Sequence, residues 1–224
     1  MLKSYLKAAI RNLLKYKGFS LISIIGLAAS MSVCLLIIVF VKHQWSYDRF
    51  HENAGRIYHI YSDYKAPINN SSHLYATSPI GLGEVLKNET PGVEEYIRLQ
   101  HYGGTVIKDD QKLNIRGLYA SEAFFRMLDF ELLSGNPATA LREPNSIVLT
   151  QSAAERLFGE QNPVGATVST ENKDELLVTG VVADIAASTL FEFEALVSFS
   201  TLFTDEETRE KLAKWDNTVR NFYT

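Results

Sequence analysis

The sequence predicts an α+β protein anchored by one membrane-spanning helix, and three observations carry that reading. Residues 19–41 run FSLISIIGLAASMSVCLLIIVFV without Asp, Glu, Lys, Arg or His. A basic, amphipathic stretch precedes them, and about 175 residues of mixed helical and strand-like periodicity follow. At ~1.5 Å rise per residue the apolar run reaches ~35 Å, enough to cross a ~30 Å hydrocarbon layer with some tilt.

Charge sets the expected orientation. Lys3, Lys7, Arg11, Lys15 and Lys17 precede the run, and no acidic residue occurs before Asp48. The positive-inside rule therefore puts the N-terminus in the cytoplasm and residues 42–224 outside. Six of the 22 Lys+Arg precede Asp48, which leaves 16 against all 26 Asp+Glu in the outer part. That acidic balance excludes a nucleic-acid partner, because phosphate binding needs a basic face. A cleaved signal peptide is the competing reading of the run. Such a peptide has a shorter apolar core and small residues at its cleavage site, whereas here Val41-Lys42-His43-Gln44-Trp45 follows. Cys34, the only cysteine, lacks the preceding small residues of a lipidation site and forms no internal disulfide.

In residues 1–18, Lys3, Lys7, Arg11 and Lys15 recur every four residues and stack on one helical face, opposite an apolar stripe of Leu2, Leu6, Ala9, Ile10, Leu13 and Leu14. Such a helix lies in the membrane interface with its basic face toward anionic headgroups, and Gly18 is the expected bend into the span. Ordinary flanking charges without an ordered helix are the plainer alternative. Within residues 19–41, Gly26 and Ser30 put two small residues on one face, which suits packing against another span. Chance in a helix that must contain some small residues accounts for the same pair. Trp45 and Tyr47 are the aromatic residues expected where the chain leaves the bilayer.

The outer part reads as two lobes, residues 55–120 and 121–224. In the first, residues 56–62 alternate as a half-buried strand does. Ser78-Pro79 has the form of an N-cap and first helical residue, ahead of Leu82, Val85 and Leu86 on a buried face. Residues 93–102, 105–108 and 113–119 read as three short strands. In the second lobe Phe124, Phe125 and Leu128 mark a short helix and 146–150 a strand. Ser152-Ala153-Ala154-Glu155 fits a capping box for a helix that Gly159 closes. Residues 166–170 and 175–183 form a hairpin, 193–200 a further strand, and 205–215 a polar amphipathic helix. The sheet is expected to be mainly antiparallel.

The sequence contains no assembled set of catalytic residues. It lacks a Gly-x-x-x-x-Gly-Lys-Ser/Thr phosphate loop and a Gly-x-Ser-x-Gly elbow. The histidines His43, His51, His59, His73 and His101 have neither His-x-x-x-His spacing nor a cysteine partner, so no zinc site is expected. Asp48, His51 and Glu52 cluster next to the span and offer a weak metal candidate against a solvated turn. No cofactor, no metal and no enzymatic activity are expected.

Longer words in the sequence carry a resemblance. Tyr47-Asp48-Arg49-Phe50-His51-Glu52-Asn53-Ala54-Gly55-Arg56-Ile57-Tyr58 resembles the stretch after the first span of FtsX-like, MacB-type ABC transporter permeases. Pro91-Gly92-Val93-Glu94-Glu95, Leu133-Ser134-Gly135-Asn136-Pro137 and Leu157-Phe158-Gly159-Glu160-Gln161-Asn162-Pro163-Val164-Gly165 are similar to that family's extracytoplasmic core domain, as is Val178-Thr179-Gly180-Val181-Val182-Ala183-Asp184. The chain departs from the family after Asp184, where Ile185-Ala186-Ala187-Ser188-Thr189-Leu190 replaces a proline and an Asn-Ser-His turn and retains only Ser188.

The resemblance implies a two-lobed outer domain and spans that carry to it the motion generated by a separate cytoplasmic ATPase subunit. It implies a bacterial inner-membrane location, a second permease copy or homodimer, a periplasmic partner protein, and export or release of a peptide, lipid, lipoprotein or drug. Family permeases have further spans, so residues 1–224 are expected to be an N-terminal part. A single-pass sensor with an outer ligand-binding domain is the alternative. About 18 cytoplasmic residues are short for an output domain.

Overall fold

A computed structural model describes residues 2–45, 48, 51–65, 72–185, 189, 191–204, 206, 209–210 and 218–224. The chain divides into two compact units, Met1–Tyr47 and Asp48–Thr224.

The first unit is helical. α1 (Leu2–Lys15) and α2 (Lys17–Gln44) meet at Tyr16, whose torsions of φ −111° and ψ 58° leave the helical region. The break expected at Gly18 thus falls two residues earlier. Hydrogen bonds continue on both sides of it, with Tyr16 N–H donating to the Asn12 carbonyl at 3.1 Å and Ser20 N–H to the Tyr16 carbonyl at 3.0 Å. The Ser20 hydroxyl reaches back to the Leu13 carbonyl at 3.1 Å. The 28 residues of α2 span ~42 Å, and none of them is buried within the protein.

The second unit is α+β. Its elements are β1 (Tyr58–His59), β2 (Ser62–Lys65), β3 (Ser72–Tyr75), β4 (Ser78–Pro79), α3 (Leu82–Glu89), β5 (Tyr96–Lys108), β6 (Gln111–Ala120), α4 (Phe124–Met127), β7 (Leu132–Gly135), β8 (Ser146–Thr150), α5 (Gln151–Phe158), β9 (Thr167–Thr170), β10 (Glu175–Val182), β11 (Ala195–Ser198) and β12 (Thr218–Tyr223). Most pairings are antiparallel, and β8 with β10 and β6 with β11 are parallel. β2 and β3 form a separate hairpin.

Six strands close on themselves in the order β5, β6, β11, β8, β10, β9 and back to β5. The closed side encloses Val106, Leu113, Ile115, Ile147, Leu149, Val168, Leu176, Val178, Ala195 and Val197, with Ala153, Leu157 and Phe158 of α5 against them. Alternate residues of the same strands face the other way. Leu99, Leu118, Val148 and Leu196 lie under Phe124, Met127 and Leu128 of the α4 region and under Phe191 and Phe193. Both faces of β8 and β11 are therefore buried, which is why they read as unbroken apolar runs rather than as alternation.

Several sequence expectations change. The strands expected at 93–102 and 105–108 are one, β5, which pairs from Leu99 to Lys108 with β6 around a turn at Asp109, where φ is +52°. Ser78-Pro79 does not cap a helix. It pairs with β12, and the buried Asn221 amide donates to Ser78 Oγ at 2.8 Å, to the Ser78 carbonyl at 3.2 Å and to the Pro79 carbonyl at 3.1 Å. The cap of α5 is Thr150 rather than Ser152, since its hydroxyl accepts from Ala153 N–H. Ser152 instead binds Asp184 through its hydroxyl at 2.5 Å and its N–H at 2.9 Å. β7 and β12 were unexpected. Gly135 of β7 has φ +103°, and a Cβ there would sit 2.4 Å from the Thr179 carbonyl oxygen. Most of the helix expected at 205–215 lies outside the described residues.

Candidate functional site

Strand register assembles a cleft of about 580 Å³ on the sheet face that also carries Leu99 and Leu118. Arg220 stands opposite Leu99, His101 opposite Leu118, and Arg116 opposite Gly103. Arg220, His101 and Arg116 therefore form a diagonal row on one face, with neighbours ~7–8 Å apart. All three are exposed, and Phe191, Phe193, Glu192 and Glu194 close the far side. Glu194 is already committed, because its carboxylate accepts from Arg156 at 3.0 Å and from the main-chain N–H of Arg116 at 3.1 Å. Neither Arg116 nor Arg220 takes part in the ion pairs of the described residues. The cleft can hold an anionic group by charge and by guanidinium donors. Arg116 was legible on a predicted strand, whereas Arg220 lay in a strand the sequence did not announce.

A second cleft, of about 440 Å³, includes Tyr102, Tyr119, Asn145, Thr170 and Asp174. The two tyrosine rings meet edge-on at 5.2 Å. Burial, the Tyr119 hydroxyl and the Asp174 charge push the Tyr102 phenol up to about 12, and burial raises Tyr119 as well. Both remain protonated at neutral pH. No group of three or more His, Cys, Asp or Glu able to hold a metal occurs among the described residues.

The metal candidate Asp48, His51 and Glu52 resolves into a set of structural contacts. His51 is 4% exposed, and its Nδ1 accepts the main-chain N–H of Asp129 at 2.9 Å. Glu52 N–H donates to Asp129 Oδ2 at 2.8 Å. Thr189 donates its hydroxyl to Asp48. The His51 ring meets Phe130 edge-on at 5.3 Å and Phe191 at 6.3 Å.

In the helical unit Lys7, Arg11 and Lys15 are exposed along α1, and the Lys3 side chain lies outside the described part. In α2 the Ser30 hydroxyl donates to the Gly26 carbonyl at 2.8 Å. The polar atom of that small-residue face is thus satisfied within its own helix.

A family profile described as the MacB-like periplasmic core domain matches residues 20–222. The chain belongs to this MacB-like family. A domain assigned to a permease of Porphyromonas gingivalis is similar in fold, with a TM-score of 0.65 at 20% identity over 77% of this chain and 74% of that one. The periplasmic region of MacB from Actinobacillus actinomycetemcomitans gives 0.50 at 16% identity, covering 66% and 64%. The extracellular domain of the ABC-type transporter YknZ from Gram-positive bacteria gives 0.53 at 17% identity, covering 75% and 81%. No curated protein matches the chain in sequence at a significant level. The match takes in most of α2 and the α+β unit that follows it.

Proposed function

We propose that the chain is the first membrane segment and outer domain of an ABC transporter permease, passing motion from a separate cytoplasmic ATPase to the outer domain. The observation that carries the reading is the extent of the family match, which begins inside α2 at residue 20 and runs to residue 222 in β12. α2 crosses the inner membrane with the N-terminus in the cytoplasm, and the Lys3, Lys7, Arg11 and Lys15 stripe lies against anionic headgroups. The Gly26 and Ser30 face packs on another span or a second permease copy. The chain contributes no catalysis of its own. It serves export or release of a peptide, lipid, lipoprotein or drug, with a periplasmic partner protein at the outer domain, and the Arg220–His101–Arg116 row favours cargo with an anionic group.

Two measurements test this. In a Cys34→Ser background, Asp110→Cys should react with a membrane-impermeant maleimide in intact cells, while Tyr5→Cys should react only after lysis. The reverse pattern overturns the orientation. Co-expression with the ABC ATPase encoded nearest its gene should give a complex that hydrolyses ATP, whereas the chain alone should not. ATP hydrolysis by the chain alone overturns the non-enzymatic reading, and no association with any ABC ATPase of the source cell overturns the permease reading.

A further inference from the structure

The sheet unit begins at Asp48, and within five residues three contacts tie its first segment to distant parts of the fold. Asp48 is bonded by Thr189, His51 accepts from Asp129 N–H, and Glu52 N–H donates to Asp129 Oδ2. The partners lie 141, 78 and 77 residues away in sequence, so the contacts join the segment to two separate loops. Thr189 is itself fixed, because its hydroxyl oxygen also accepts Phe191 N–H at 3.2 Å. Between these polar contacts the His51 ring is packed on Phe130 and Phe191, and both phenylalanines touch Phe124.

The proton arrangement at His51 follows from the donor. A main-chain N–H at 2.9 Å requires a lone pair on Nδ1, so the ring is the neutral tautomer with its proton on Nε2. A second proton at Nδ1 would face the Asp129 N–H across the same 2.9 Å. Asp129 Oδ2 lies 3.8 Å from Nδ1 and already accepts from Glu52. A protonated Nδ1 has no lone pair left for the Asp129 N–H, so protonation there gives up that hydrogen bond.

We propose that His51 is a positioning residue, a latch that holds the entry segment of the outer domain against Asp129 while its ring is neutral and releases it when Nδ1 takes a proton. Among the described residues the charged groups facing the ring are Asp48 on its own segment and Asp129 after α4. The stretch after Thr189 presents Phe191 to it, while Glu192 is exposed and lines the cleft. Burial lowers the imidazole below its ordinary range, and the two aspartates oppose this only in part. A folded-state value below the unfolded one means that the latch contributes its full stability above the ordinary imidazole range and loses it as pH falls through the folded value. Its consequence rests on the force-transmitting reading: with the latch shut, movement arriving at Asp48 is delivered to the α4 side of the domain, and with it open the segment moves alone. The latch itself can be tested without any ATPase.

The test is hydrogen exchange of the Glu52 and Asp129 amides in the full 224-residue chain in lipid nanodiscs, at pH 7.5 and pH 5.0. Amides of β8 serve as the internal reference for global folding. In the wild type, protection at both amides should fall about tenfold or more at pH 5.0 relative to β8. His51→Asn supplies an amide oxygen to the Asp129 N–H but does not titrate, so it should keep protection and abolish the pH dependence. His51→Leu should lose protection at both pH values. Identical pH profiles for the wild type and His51→Asn overturn the proposal, even should His51→Leu fail to fold. Full protection in a folded His51→Leu protein overturns it too. Failure of ATPase coupling with an intact pH-dependent latch would instead count against the transport reading alone.

Discussion

The two faces of strands β8 and β11 are both buried, but by different materials. On the closed side, Ile147 and Leu149 of β8 meet aliphatic residues from the other five strands of the ring and from α5. On the other side, Val148 and Leu196 are covered by an aromatic group of Phe124, Phe191 and Phe193, with Phe130 at its edge. The closed side is held by a ring of strand hydrogen bonds. The aromatic side is roofed by a short helix and loops, and it alone receives the entry segment through His51. A strand-closed core and an aromatic contact surface thus share one set of strands, and the local density of strand pairing separates them.

The largest effects should come from truncating each face. Phe124→Ala should cost ~3–5 kcal/mol and Leu149→Ala ~2–5 kcal/mol in denaturant unfolding, because both side chains are fully buried. The comparison sharpens in native-state hydrogen exchange. Phe124→Ala should release the Glu52 and Asp129 amides selectively, while Leu149→Ala should lower protection across the ring strands. Equal patterns for the two variants would break the distinction. A smaller effect is expected at Asn221, which is fully buried and holds Ser78 and Pro79 against β12. Asn221→Ala should cost ~1–3 kcal/mol by leaving those acceptors unsatisfied, measured as a shift in the urea midpoint. The smallest belongs to the surface chain of ion pairs in which Glu95 contacts Lys87 at 2.8 Å and Arg126 at 3.1 Å. Lys87→Ala should change stability by ~0–1 kcal/mol, and less still in high salt.

Much of the scaffold was legible because its signals are local. Residues 166–170 and 175–183 alternate around a polar turn and form β9 and β10, and the Gly159 stop of α5 is visible as a residue able to take φ +62°. The first two strands expected after α3 merged because Gly103 and Gly104 look like a turn, yet sit in register opposite Arg116 and Ile115 within one long hairpin. Ser78-Pro79 was misread because a serine before a proline has the local form of a helix start. Its actual partner, Asn221, lies 143 residues away. The candidate cleft was the least legible feature, since Arg220 joins His101 and Arg116 only through the pairing of β12 with β5.

The sequence by itself determined the helical apolar run at 19–41, the basic spacing before it, the family and the α+β class. Each rests on composition, periodicity or words of contiguous residues, which neighbours along the chain suffice to specify. Only the tertiary structure decided that the strands close into a ring, that His51 is a buried hydrogen-bond acceptor, and that Arg220, His101 and Arg116 share one face. Those features depend on strand register and on contacts between residues far apart in the chain, and side-chain burial at such contacts is set by packing rather than by local pattern.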